Sequence, residues 1–121
     1  MKLTKSQERA AYRVATERDM GKCQRCGRFG AVERDHRQNR DAYNTVPSNL
    51  QCLCGACHRL KTEHPEQAIR EGFAVPRWAR PELWPAHRYG VGWVIYDDHG
   101  GWQEITESTA EFIMTSGGRP G

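Results

Sequence analysis

At 121 residues the chain has room for one domain with at most a small appendage. Hydrophobic residues make up only 37%, with 12 Gly and 6 Pro, so the core will be small and some form of staple is expected. The net charge of +3 is unevenly spread: residues 1–62 carry 13 Lys and Arg against 6 Asp and Glu, a net of +7, and residues 63–121 carry 5 against 9, a net of −4.

The first half thus has the electrostatic footprint of a polyanion binder. No apolar run reaches the roughly 18 residues of a transmembrane helix, so no membrane partner is expected. The N-terminal "MKLTKSQERAAYRVATERDM" is too charged for a signal peptide, which points to a soluble, cytoplasmic protein.

In chain order, residues 4–20 predict a helix. Thr4 and Gln7 fit a capping box, and Ala10, Ala11, Val14 and Ala15 make a narrow apolar stripe, with Arg9, Arg13 and Arg18 mostly off it. Gly21 can end that helix. "GKCQRCGRFG" reads as a glycine-punctuated knuckle and "AVERDH" as a short strand. "RQNRDAYNTVPSN" is a polar loop, and "LQCL" a second short strand. "GACHRLKTEH" predicts a helix that Pro65 either ends or follows with a new one, "PEQAIREG". "FAVPRWARPELWPAHRYG" reads as an extended segment wrapping its aromatics onto the core, with Trp78, Trp84, Trp93 and Trp102 expected as core and wrapping residues. "GWVIYDDHGGWQEIT" has a hairpin pattern around 97–101, and "STAEFIMTSGGRPG" starts with a cap-like Ser/Thr and ends in a flexible tail. The resulting organisation is a helix over 1–21, a core over 22–72 and a wrapping, hairpin-containing extension over 73–121.

Four of the five cysteines form two C-x-x-C pairs, Cys23/Cys26 and Cys54/Cys57. In a chain without a secretion signal this spacing predicts a four-sulfur structural zinc site, since two thiols three positions apart can approach one tetrahedral ion. Such a site is also the staple a small core needs. Cys52 shares a strand face with Leu50 and reads as a small buried hydrophobe.

The 27 residues between the pairs exceed the roughly 15–20 of a simple zinc ribbon. They contain Asp35, His36 and Asn49, and His58 follows the last cysteine. Asp35 and His36 are neighbours on a strand, so they point to opposite sides. If Asp35 faces the following helix, it can share a divalent ion with His58 and leave positions open for water and phosphate. His36 would stand free to take a proton from water at neutral pH.

"RDHR" followed by "NLQCLCGACHRLKT" resembles the HNH nucleases of the His-Me finger (ββα-metal) superfamily, in the subgroup with two C-x-x-C pairs. The resemblance spans about Lys22 to Thr62. It implies an α+β fold with a ββα-metal core and metal-dependent DNA cleavage to 5′-phosphate and 3′-hydroxyl ends. By position, His36 resembles the general base, Asp35 and His58 the ligands of the catalytic ion, and Asn49 the residue that steadies the loop. Some members carry a further His or Asn one turn after the last motif His. Thr62 stands there in this chain, which suggests a two-ligand Mg²⁺ or Mn²⁺ site. Arg34, Arg37, Arg40, Arg59 and Lys61 are expected to bind phosphates of double-stranded DNA. Size and motif also resemble small HNH proteins of bacteriophages, which suggests a DNA-packaging terminase as partner. The competing reading is a zinc-binding nucleic-acid module without catalysis.

Overall fold

Helix α1 runs from Lys5 to Asp19 in the computed structural model, which describes residues 1–116. Its start is the expected capping box: Thr4 Oγ1 accepts the Gln7 N–H at 3.0 Å, and Gln7 Oε1 accepts the Thr4 N–H at 2.8 Å. Ala11 and Ala15 are small enough to let the helix settle against Leu50, with Tyr12 half-buried beside them. Ala10 and Val14 are only half-buried. The helix ends before Gly21, at Met20, which takes the left-handed conformation itself (φ 53°).

Arg18 departs from expectation. It is buried, pairs with Asp19 and donates to the carbonyls of Pro47 (2.8 Å) and Leu50 (2.6 Å). A guanidinium can enter the interior only when its donors are matched in this way.

After the knuckle, strand β1 (Val32–His36) pairs antiparallel with β2 (Leu50–Cys54). The register sets Val32 opposite Cys54 at one end and His36 opposite Leu50 at the other. All five residues of β2 are buried. Helix α2 (Gly55–Glu63) leaves directly from β2 and completes a ββα unit. Pro65 opens helix α3 (Pro65–Glu71), as a proline at the first helical position can. Cys23, Leu53, Cys54, Cys57 and Phe73 form the core around this unit.

The second sheet is larger than the expected hairpin. The end of the segment read as extended wrapping is itself a strand, β3 (Ala86–Arg88), and it pairs with β4 (Gly92–Tyr96). β4 pairs in turn with β5 (Trp102–Glu104), giving the order β3-β4-β5. Helix α4 (Glu107–Ser116) follows, capped by Thr106 rather than by the Ser and Thr of "STAEF". Residues 117–121 of the expected flexible tail lie outside the described residues. Trp84 is buried and Trp93 half-buried, whereas Trp78 and Trp102 are exposed, Trp78 with its ring edge-on to Trp84.

Polar contacts join the two halves. Arg88 reaches Asp19 Oδ1 at 2.6 Å and the Arg18 carbonyl at 2.7 Å. The His87 N–H donates to Gly72 O at 3.0 Å. Gly72 has φ +89°, and a Cβ there would stand 2.6 Å from Trp93 Cζ3, so only glycine allows this approach. Among the described residues no helix is long and apolar enough to cross a membrane.

Candidate active site

The four-cysteine cluster closes one end of the ββα unit. Cys23 and Cys26 come from the knuckle, Cys54 from the last residue of β2 and Cys57 from the first turn of α2. Their sulfurs all lie within 4.8 Å of one another, and Cys26 Sγ stands 3.7 Å from Cys54 Sγ. Two sulfurs bound tetrahedrally at about 2.3 Å stand about 3.8 Å apart, so the donor set can hold one metal ion. Burial works against ionising Cys54, but bonds from the Cys57 amide and neighbouring thiols bring it down to about 7. Burial pushes Cys57 up to about 12. Cys52 lies outside the cluster, fully buried, its thiol pushed up to about 11 by burial and by the nearby Asp19.

From this clamp β1 runs to Asp35 and His36, which the pleat turns to opposite sides. Asp35 is buried against α2. Its Oδ1 lies 2.9 Å from His58 Nδ1, and its Oδ2 accepts from Lys61 Nζ at 2.6 Å and Gln51 Nε2 at 2.9 Å. The structure therefore brings Asp35 and His58 together across 23 positions of sequence. Two donors side by side on one octahedral ion at about 2.1 Å each stand about 3.0 Å apart, so this pair fits a shared divalent ion.

His36 lies on the other side of the strand, half-buried, with Nε2 2.9 Å from Thr45 Oγ1 and its ring edge-on to Tyr12 at 6.0 Å. Burial first, and then the charges of Arg40 and Lys61, push its pKa below the ordinary histidine value, with Asp35 opposing. Asn49 is fully buried. Its side chain accepts the Gln38 N–H at 2.8 Å and donates to the carbonyls of Gln38 (3.2 Å) and Asn44 (3.0 Å), which pins the loop between the strands.

The five expected phosphate contacts separate. Arg34, Arg40 and Arg59 are exposed. Arg34 and Arg40 line, with Asp35, His36, His58 and Lys61, one open cleft of about 850 Å³, and Arg40 also pairs with Glu8 at 3.3 Å. Lys61 turns inward to Asp35 and to the His36 carbonyl. Arg37 is a correction. It is 2% exposed and donates to the carbonyls of Ser48, Pro81 (3.0 Å) and Trp84 (3.0 Å), so it holds the loop to the C-terminal segment and has no surface for phosphate.

Four neighbours of the site were not identified from the sequence. Glu33 brings Oε2 to 3.7 Å from His58 Nδ1, and strand alternation from Asp35 was the available signal. Gln51 becomes visible only once the register sets it opposite Asp35. Thr45 and Tyr12 approach His36 from a loop and from α1, and nothing in their local sequence marks them.

The family model for HNH endonuclease matches residues 23–64, the interval from the first knuckle cysteine through α2. A probable HNH endonuclease of Lactococcus phage SK1 is 39% identical over 71 residues, covering 51% of this chain and 71% of that protein. No solved structure gives a significant match. The matched interval holds the sulfur clamp and both strands of the unit that carries Asp35, His36 and His58. This nuclease, with its ββα-metal core, belongs to the HNH endonuclease family.

Proposed function

We propose that the protein is a metal-dependent DNA endonuclease, nicking or weakly selective, with His36 as general base. The observation that carries this is the meeting of Asp35 and His58 at 2.9 Å in the cleft that His36 also lines, on the opposite side of its strand. Thr45 Oγ1 accepts from His36 Nε2–H in this reading, so Nδ1 keeps a lone pair for the proton of water. That water attacks phosphorus in line. A P–O bond forms, the bond to the 3′ oxygen breaks, that oxygen takes a proton from solvent water and His36 returns its own to solvent, so the ends are a 5′-phosphate and a 3′-hydroxyl. Burial of the imidazole and the nearby cations favour its neutral, proton-accepting form. Asp35 and His58 would hold Mg²⁺ or Mn²⁺, which would supply stabilisation of the negative charge that develops in the displacement. Zinc on the four cysteines is structural, since a complete sulfur shell leaves no open position. Arg34, Arg40 and Arg59 hold flanking phosphates of double-stranded DNA.

The test is plasmid nicking by the zinc-loaded protein in Mg²⁺ or Mn²⁺. His36→Ala is expected to lower kcat by about 10²–10⁴-fold, the usual worth of a positioned base, with DNA affinity little changed. Loss within threefold would remove His36 from the chemistry. No cleavage by the wild type in either ion would favour a binding module. Likeness to a phage-encoded relative supports a phage setting; a DNA-packaging terminase as partner is a further part of the proposal, which co-purification of the two proteins would test.

A further inference from the structure

We propose that Gln51 is a positioning residue for the catalytic ion, clamping Asp35 so that a single carboxylate oxygen faces His58. The inference rests on the reading of Asp35 and His58 as ion ligands. Gln51 stands directly across the antiparallel ladder from Asp35 and is 1% exposed. Its amide nitrogen donates to Asp35 Oδ2 at 2.9 Å and to the Phe73 carbonyl at 2.6 Å. Both amide hydrogens therefore have acceptors, and the side chain cannot turn away without stranding a buried carbonyl. Phe73 belongs to the core and follows α3, so the amide ties the carboxylate to a rigid part of the fold.

The consequence is geometric. Asp35 Oδ2 takes two donors, Gln51 and Lys61, and Oδ1 is left toward His58 Nδ1. A carboxylate free to rotate could chelate through both oxygens or swing off the imidazole. Held this way it offers one oxygen at the spacing a shared ion requires. The neutral amide shares Oδ2 with the Lys61 ammonium and adds no further charge there. Partners of this kind typically account for 10–100-fold in metal affinity.

The test measures Mn²⁺ binding to the zinc-loaded full chain by electron paramagnetic resonance, for the wild type, Asp35→Asn and Gln51→Met. Methionine keeps the length and buried shape but has no donor. Gln51→Met is expected to weaken Mn²⁺ by about 10–100-fold, to remain folded by circular dichroism at the assay temperature, and to regain cleavage when Mn²⁺ is raised. Binding within twofold of the wild type while Asp35→Asn abolishes it would overturn the role of Gln51 and leave the ion site standing. Unchanged binding in Asp35→Asn would overturn both readings. A second measurement needs no variant. In ¹⁵N-labelled wild type, the Gln51 side-chain amide signals are expected to shift on Mg²⁺ titration with the same midpoint as the His58 ring, and absence of that shift would also overturn the proposal.

Discussion

Replacing Asp19 with Asn is expected to destabilise the protein by about 3 kcal/mol, at the low end of the 3–5 kcal/mol for removing one partner of a buried ion pair. Asp19 is 1% exposed at the end of α1. Its Oδ1 accepts from Arg18 Nε at 2.8 Å and Arg88 Nη1 at 2.6 Å, and its Oδ2 from Arg18 Nη2 at 3.1 Å and the Cys52 N–H at 3.0 Å. Two guanidiniums, almost wholly inside, thus share one carboxylate. Asparagine keeps the shape but leaves both cations facing each other without a counter-charge. The low end of the range applies because Arg18 keeps the Pro47 and Leu50 carbonyls and Arg88 keeps the Arg18 carbonyl.

For a domain of this size each kcal/mol moves Tm by about 3–6 °C, so a fall of about 9–18 °C is expected in the zinc-loaded protein. Urea unfolding followed by circular dichroism gives the free energy directly. A loss below about 1 kcal/mol at unchanged m would refute the reasoning, because the cluster would then be solvated in solution and would not hold β3 against α1. Adding Arg88→Met to Asp19→Asn removes the second stranded cation. Part of the loss should return, with a coupling of at least about 1 kcal/mol.

Chelating the metal proposed on the four cysteines, or Cys54→Ser, should unfold the ββα unit, since metal binding of about 10 kcal/mol or more becomes folding free energy in domains stapled this way; loss of far-UV ellipticity on chelation that returns with Zn²⁺ checks it. Arg34→Gln should lower the salt slope of DNA binding by about 1 with Tm unchanged, whereas Arg37→Met should leave the slope alone and cost about 2–4 kcal/mol by stranding the Ser48, Pro81 and Trp84 carbonyls; titrations at several salt concentrations and thermal melts separate the two. Truncation after Gly72 removes the Pro81 and Trp84 carbonyls from Arg37, Arg88 from Asp19 and Asp98 from the Ser48 N–H, and should give a chain without cooperative unfolding; a sharp melt from that fragment would show that the ββα unit folds alone.

The ββα unit was legible because its determinants are local or come in a fixed order. Two thiols three positions apart need only a second such pair, and a strand of five residues separates Asp35 from His36 whatever lies around it. The destinations of the charged side chains were not legible. Arg34 and Arg37 sit in one run, "ERDHRQNR", yet one faces solvent and the other is enclosed by carbonyls from residues 81–85, which nothing near position 37 encodes. β3 escaped notice for the same reason: three residues in a proline-rich stretch become a strand because β4 offers an edge to pair with.

This changes what the net of +7 in the first half means. Arg18 and Arg37 are interior, Arg25 pairs with Glu71, Arg40 with Glu8, and Lys61 lies on Asp35. The pairs with Asp19, Asp35 and Glu8 are already subtracted in that +7, and of the remainder Arg37 covers backbone carbonyls inside the molecule while Arg25 meets Glu71 of the second half. The acidic second half takes part in the same way: Glu71 meets Arg25, and Asp98 accepts the Ser48 N–H. The exposed cations that line the cleft are Arg34, Arg40 and Arg77, and Arg40 is shared with Glu8, so the proposed pull on DNA there rests on few side chains. A weak, salt-sensitive hold on DNA is expected from that arrangement, and in the proposed mechanism precision would rest on the placement of Asp35, His36 and His58 rather than on grip.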